Sequence, residues 1–216
     1  MKQILVMMVA VVLVGCGEDT RKAAPKKAPS AEEIAISIAD PIDEQAVRKS
    51  LKKPEGELTE VDLQNLKVLV LNDTQITDAG LKEVAKFPKL TELILSGTQI
   101  TDEGLKEAAK LQNLTELNLH DTKITDEGLK ELAKLQELEV LGLTNTQITD
   151  AGLKEVAKMQ KLEQLYLRDT QITDVGLMEV AKLRNLTYLN LRETQFTFKD
   201  VAELRKAMPN CIIFGP

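Results

Sequence analysis

The chain has no tryptophan, four phenylalanines and two tyrosines among its 216 residues, so aromatics are only 3 % of it. A core of this composition has to be aliphatic. The hydrophobic share of 43 %, supplied mostly by leucine, suffices for one domain with a tail. Histidine occurs once and cysteine twice, which leaves little material for a transition-metal centre or a Cys/His nucleophile pair. Positive charge is not in excess. The formal net charge of −6 argues against a nucleic-acid partner, because such proteins carry a basic stripe. There is no P-loop, no G-x-S-x-G and no H-E-x-x-H, so neither an enzyme nor a cofactor is expected. The longest unbroken apolar run, Ile4 to Val14, has eleven residues. A bilayer-spanning helix needs about 20.

That run follows Lys2 and has the length of the apolar region of a secretory signal, here residues 1–15. It ends Leu13-Val14-Gly15-Cys16, which resembles the lipobox of bacterial lipoproteins. The resemblance implies cleavage before Cys16, lipidation of its thiol, and a domain outside the cytoplasm held to a membrane of the cell envelope. Gly17 rather than Asp follows the cysteine, which implies the outer membrane in a cell that has two. Gly17 to Ser30 reads GEDTRKAAPKKAPS, with no large apolar residue. Residues 16–30 are therefore read as the lipidated cysteine and a disordered tether. Cys211 is then left without a disulfide partner, and its neighbours Ile212, Ile213 and Phe214 suggest a buried structural thiol.

Residues 31–65 are non-repetitive and read as an N-terminal helical cap. Ile42, Ala46, Val47 and Leu51 lie at helical spacing behind Asp40-Pro41, a plausible N-cap and first turn. Pro54-Glu55-Gly56 ends that helix, and a second short one is expected from Thr59 to Leu63. From Leu66 onward the chain is periodic. Ile76, Ile100, Ile124, Ile148 and Ile172 are 24 residues apart, and Phe196 continues the series. Each unit reads L-x-x-L-x-L-x-x-T-x-I-T-D-x-G-L-x-x-x-A-K. This period and leucine spacing resemble leucine-rich repeats, and the I-T-D-x-G-L segment resembles the subgroup with a helix on the outer side. Thr74, Thr98, Thr122, Thr146, Thr170 and Thr194 stand where that pattern usually has Asn or Cys. The resemblance implies an α/β solenoid, a horseshoe with parallel strands on its concave face and short helices on its convex face. Residues 66–195 form the repeats and 196–216 a C-terminal cap, in which Val201, Leu204 and Ala207 make a helical stripe and Cys211 to Phe214 an edge strand.

Within a unit the helix side is nearly invariant. Lys82-Glu83 recurs at 106–107, 130–131 and 154–155, with each Glu three residues before a Lys. This reads as a solvated face. Leu81, Val84 and Ala85 should face the sheet, with the alanine column (Ala109, Ala133, Ala157, Ala181) as the close-packed small position. The column Asp78, Asp102, Asp126, Asp150 and Asp174 opens each helix. Its carboxylates are expected to cap the free N–H groups of their own helices rather than hold a metal.

The strand side varies. Its third, fifth and seventh positions should point to the concave face, because strand side chains alternate. The only histidine and both tyrosines fall there, as His120, Tyr166 and Tyr188, with Asn118, Asn190, Arg168 and Arg192. Tyr and Arg are enriched at binding hot spots. Tyr166 and Tyr188 should be diagonal neighbours. Arg168 and Arg192 should lie side by side and would suit a carboxylate or phosphate, unless Asp169 and Glu193 neutralise them. Val68, Val70, Ile94 and Val140 are apolar; they extend that surface or pack under residues 31–40, where Ile34, Ile36 and Ile38 alternate. These residues predict a non-catalytic, lipid-anchored recognition module whose partner is another protein or an envelope component. The alternative is a structural envelope protein without one cognate partner.

Overall fold

The computed structural model describes residues 44–215. The signal segment, Cys16, the tether, Asp40-Pro41, Ile42 and the alternating isoleucines all lie outside the described residues. The cap begins, within them, with α1 (Glu44–Leu51) and α2 (Glu60–Gln64). Val47 is fully buried, while Ala46 and Leu51 pack against the core from its margin. Lys52 turns left-handed just after α1 (φ 54°), so the helix stops three residues before Pro54. Thr59 and Asp62 form a capping box at the start of α2: each side chain accepts from the other's backbone N–H. Lys53 donates to the same carboxylate at 2.8 Å, and these bonds hold the Asp62 pKa down at about 2.

Seven three-residue strands follow: β1 (Val68–Val70), β2 (Glu92–Ile94), β3 (Glu116–Asn118), β4 (Val140–Gly142), β5 (Gln164–Tyr166), β6 (Tyr188–Asn190) and β7 (Ile212–Phe214). They form one open parallel sheet in chain order. Each residue faces the one 24 positions later, from Val68 opposite Glu92 to Tyr188 opposite Ile212. Between successive strands stand α3 (Asp78–Val84), α4 (Asp102–Ala108), α5 (Asp126–Leu132), α6 (Asp150–Val156), α7 (Asp174–Val180) and α8 (Phe198–Ala207). This is the expected solenoid. Among the described residues no helix is long and apolar enough to cross a membrane.

Why the repeat folds this way follows from its apolar columns. The middle residue of each strand, Leu69 through Leu189, is fully buried, and so is the leucine two places on, Leu71 through Leu191. Ile100, Ile124, Ile148 and Ile172 and the helix leucines Leu81, Leu105, Leu129 and Leu153 complete one continuous core. No unit encloses its own set; each is covered by its neighbours. The threonine column closes the turn after the strand. Each hydroxyl donates to the carbonyl three residues back, Thr98 to Leu95 at 2.6 Å and Thr146 to Leu143 at 2.7 Å. A single O–H does here what a larger side chain would do with more groups.

Two expectations about the helix side are corrected. Of the five aspartates only Asp174 caps its own helix, accepting from the Val175 N–H at 3.1 Å. Thr101, Thr125, Thr149 and Thr173 are the N-caps, and their hydroxyls accept from the N–H two residues on. The other four aspartates reach the next unit. Asp78 accepts from the backbone N–H of Thr101 at 2.8 Å and from its hydroxyl at 2.6 Å. Asp102 does the same to Thr125, Asp126 to Thr149 and Asp150 to Thr173. The carboxylate thus ties one helix start to the next. It also explains the glycine of I-T-D-x-G-L. A Cβ on Gly128 would sit 2.5 Å from Asp102 Oδ1 and 2.7 Å from Leu105 Cδ1. The close-packed small position is therefore this glycine. The alanine column sits at the helix C-caps, where Ala109 and Ala157 are buried as expected but Ala85, Ala133 and Ala181 remain half-exposed.

The ends are closed differently. At β1, α1 lies over the sheet edge and Ser50 Oγ accepts from the Val70 N–H at 3.3 Å. At β7, the outward carbonyl of Ile213 accepts from Arg205 of α8 at 2.8 Å, which blunts an edge that would otherwise invite another strand. In α8 the buried stripe is Val201 and Leu204, continued by Met208 rather than by Ala207, which is exposed. Cys211 is buried, and burial alone lifts its thiol pKa to about 11. It is the structural thiol expected, not a reactive one.

Candidate functional site

The concave face is built from the flanking positions of each three-residue strand, with the buried leucine between them. Five of the six central strand columns show the same half-exposed, buried, half-exposed pattern, and β4 alone is closed at its third position by Gly142. The parallel register carries side chains of the same column onto adjacent strands at about 4.8 Å spacing. Rings at positions that differ by one column therefore meet diagonally.

Three of the expected site residues form a row. His120 meets Tyr166 edge-on, with centroids 5.9 Å apart and planes at 81°. Tyr166 meets Tyr188 at 5.1 Å, the diagonal pair predicted. Tyr188 then meets Phe214 at 5.3 Å. Phe214 extends the row into the cap. It lies 24 residues beyond Asn190, so the register that places the tyrosines also reaches it, although the sequence reading treats it only as an edge-strand residue.

The single histidine is held neutral. Its Nδ1 accepts from the Thr144 backbone N–H at 2.9 Å, an arrangement that leaves the proton on Nε2. Burial, outweighing the nearby Asp121 charge, lowers its pKa below the ordinary value. Asn118 braces it: Oδ1 accepts from the His120 N–H at 3.1 Å and from the Ser96 hydroxyl at 2.8 Å. Asn190 repeats the first of these bonds with the Arg192 N–H. Tyr166 donates its hydroxyl to Gln164 Oε1 at 2.9 Å. Burial, and then Tyr188 and Glu116, raise its phenol pKa.

The two arginines do not act as one clamp. Arg168 Nη2 lies 2.6 and 2.8 Å from the two oxygens of Glu193, on the next turn. Arg192 lies over the Phe214 ring, 5.1 Å from its centroid. Of the ion pairs the sequence reading allowed, only Glu193 with Arg168 forms; Arg192 is drawn instead to the aromatic row. The pairing has a local cause. The residue after each strand turn is left-handed throughout: Asp73, Gly97, Asp121, Asn145, Asp169 and Glu193 have φ between 51° and 67°. Asn, Asp and Gly enter that region readily. Glu193 does not, and its contact with Arg168 sets against that cost.

Sequence reasoning passes over a hollow at the centre of this face. A space of about 370 Å³ lies between Glu116, His120, Gln164 and Tyr166, and the His120 ring lies over Gly142, which has no side chain to hold it off. A Cβ on Gly142 would come within 2.6 Å of the His120 ring. The signal is one residue, the glycine in a column otherwise filled by Val70, Ile94, Asn118, Tyr166 and Asn190. Beside it, Glu92 and Glu116 stand opposite each other on neighbouring strands. Burial, and then Glu92, raise the Glu116 pKa.

The convex face carries a different chemistry. Glu83–Lys86, Glu107–Lys110, Glu131–Lys134, Glu155–Lys158 and Glu179–Lys182 form exposed pairs three residues apart. Met178 and Val175 of α7 and Phe198 of α8 break this pattern as exposed apolar side chains.

Comparison with known proteins bears on the fold. The family model for Leucine Rich repeats (2 copies) matches residues 64–107 and 112–155, and a Leucine Rich repeat model matches 158–181. No curated protein matches the chain. Among solved structures, an internalin (inlF) of Listeria monocytogenes is 23 % identical with a TM-score of 0.57, over 79 % of this chain and 54 % of that one. The chain thus spans about half the length of that internalin. An internalin C2 of the same organism is 24 % identical with a TM-score of 0.46, over 80 % of this chain and 91 % of that one. A leucine-rich-repeat protein of Leptospira interrogans is 24 % identical with a TM-score of 0.49, over 70 % and 49 %.

Proposed function

Since the chain belongs to the leucine-rich-repeat proteins, with repeat models covering more than half of it, we propose that it is a non-catalytic recognition module. It binds another protein or an envelope component through its concave face. Solenoids of this kind commonly serve protein–protein interaction, and their extended inner surface is what they present. The observation that carries the reading is the aromatic row His120, Tyr166, Tyr188 and Phe214. A chain with so few aromatics places four of its seven ring-bearing residues (His, Phe, Tyr) in one line on one face. The flanking Arg168, Arg192, Asn118 and Asn190 supply polar groups at its margin. Leu13-Val14-Gly15-Cys16 supports a lipid anchor on Cys16, a secretory signal before it, and a place at an envelope membrane, the outer one where there are two.

The test is capture from envelope extract by the full chain in detergent, beside a variant with Tyr166, Arg168, Tyr188 and Arg192 all changed to Ala. A partner held by the first and lost by the equally folded second is the expected result. Equal capture by both sends the contact elsewhere, and no capture by either favours a structural envelope role. Labelling with a fatty-acid probe, abolished by Cys16→Ser, checks the anchor.

A further inference from the structure

We propose that the hollow beside Gly142 receives a basic side chain, lysine or arginine, from the partner, with Glu116 as its anionic anchor, Glu92 adding negative charge from the strand beyond, and the Tyr166 ring as its wall. This rests on the concave-face reading and specifies the chemistry of the partner. Three observations converge on it. The first is space. A hollow of about 370 Å³ lies between Glu116, His120, Gln164 and Tyr166, and the His120 ring forms its floor by lying over Gly142, where any side chain would displace it. The second is charge. Glu92 and Glu116 face each other across adjacent strands, and no hydrogen bond or ion pair is made by either carboxylate among the described residues. Like charges placed opposite each other in a sheet destabilise it, and a cation set between them removes that repulsion. The third is the wall. Tyr166 stands beside Glu116 and is fixed by its bond to Gln164 and by its contacts with His120 and Tyr188. A cationic head passing over such a ring is attracted by it.

The arginines on the same face fit this assignment. Arg168 is already satisfied by Glu193, and Arg192 is drawn over Phe214. At the centre of the concave face, around β2 and β3, the unpaired charge is therefore negative, and the partner's contribution there is positive. His120 is kept neutral by the Thr144 N–H and so does not repel the incoming cation.

The chain carries its own reporter. It has no tryptophan, and its two tyrosines are Tyr166 and Tyr188. The experiment is a titration of the full chain in detergent with butylguanidinium, followed by tyrosine emission, with neutral butylurea as the isosteric control. Saturable change with the first and none with the second is expected. Glu116→Gln should weaken it about tenfold, Glu92→Gln several-fold, and Gly142→Val should abolish it while the melting temperature shows the chain still folded. No saturation by butylguanidinium, or equal response to butylurea, overturns the proposal. So does unchanged affinity in both Glu116→Gln and Gly142→Val. Because Glu116 and Gly142 lie outside the set changed in the Tyr/Arg variant, such a failure leaves the capture experiment standing on its own, and a failed capture does not alter the titration.

Discussion

The convex and concave faces of this solenoid are made by the same 24-residue unit, yet they are built to different rules. On the convex face each unit repeats its neighbour. Glu–Lys pairs line the helices, and the Asp78–Thr101 bond recurs three more times down the array. On the concave face no two units are alike, and the residues that differ touch one another: His120 with Tyr166, Tyr166 with Tyr188, Arg192 with Phe214. The difference separates what stacking demands from what it leaves free. Helix starts must interlock with the next unit, so a glycine, an aspartate and a threonine recur there. The concave strand positions flank a buried leucine and bear no such constraint.

The largest expected effect breaks both faces together, because they share one core. Leu117→Ala empties a fully buried position in the middle strand and should cost about 2–5 kcal/mol, read as a lower denaturation midpoint. Next comes the interlock of the convex side. Asp102→Ala leaves the Thr125 N–H and hydroxyl without their acceptor and should cost about 1–3 kcal/mol. Amide exchange should rise at Thr125 before it rises in β3, whereas an own-helix cap would loosen Thr101 and Glu103 instead.

A smaller effect sharpens the concave side. Burial holds the His120 pKa below its ordinary value of 6.5, so the folded chain binds that proton less readily than the unfolded one. The contribution is complete above the unfolded value and is lost as pH falls through the lower folded value. Wild type should therefore lose more stability than His120→Gln between about pH 7 and about pH 5, measured by urea denaturation at each pH. Equal losses would mean that burial does not lower the His120 pKa in the folded chain. The smallest effect is on the convex surface. Lys130→Met places on α5 what Met178 is on α7, removes an exposed pair with Glu127, and should change stability by less than about 0.5 kcal/mol.

Much of this was readable before any coordinates. The repeat length sets which residues share a column, and the leucine spacing sets which of them are buried. From those two alone follow the parallel register, the solenoid, the Tyr166–Tyr188 contact and the solvated Glu–Lys face. The aspartates show where such reading stops. Asp102 stands at the first turn of a helix, where a carboxylate ordinarily caps its own chain, and no pattern within one unit says that it turns to Thr125 instead. Arg168 and Glu193 show the same thing on the other face. They are 25 residues apart, one more than the period, so their contact crosses columns.

The repeat, its core and the order of its strands are written in the periodicity, because burial of a periodic apolar set has one efficient solution and every unit favours it. What happens between units away from that core is settled by their three-dimensional packing: which groups the Asp column serves, which arginine is already satisfied, that Ile213 is sealed by Arg205, and that the His120 ring lies over Gly142 at the floor of a hollow beside Glu116. These depend on the direction in which individual side chains reach across the gap from one turn to the next. Periodicity gives the equivalence of positions, whereas that direction follows from the rise and rotation between units and from the space each neighbour leaves.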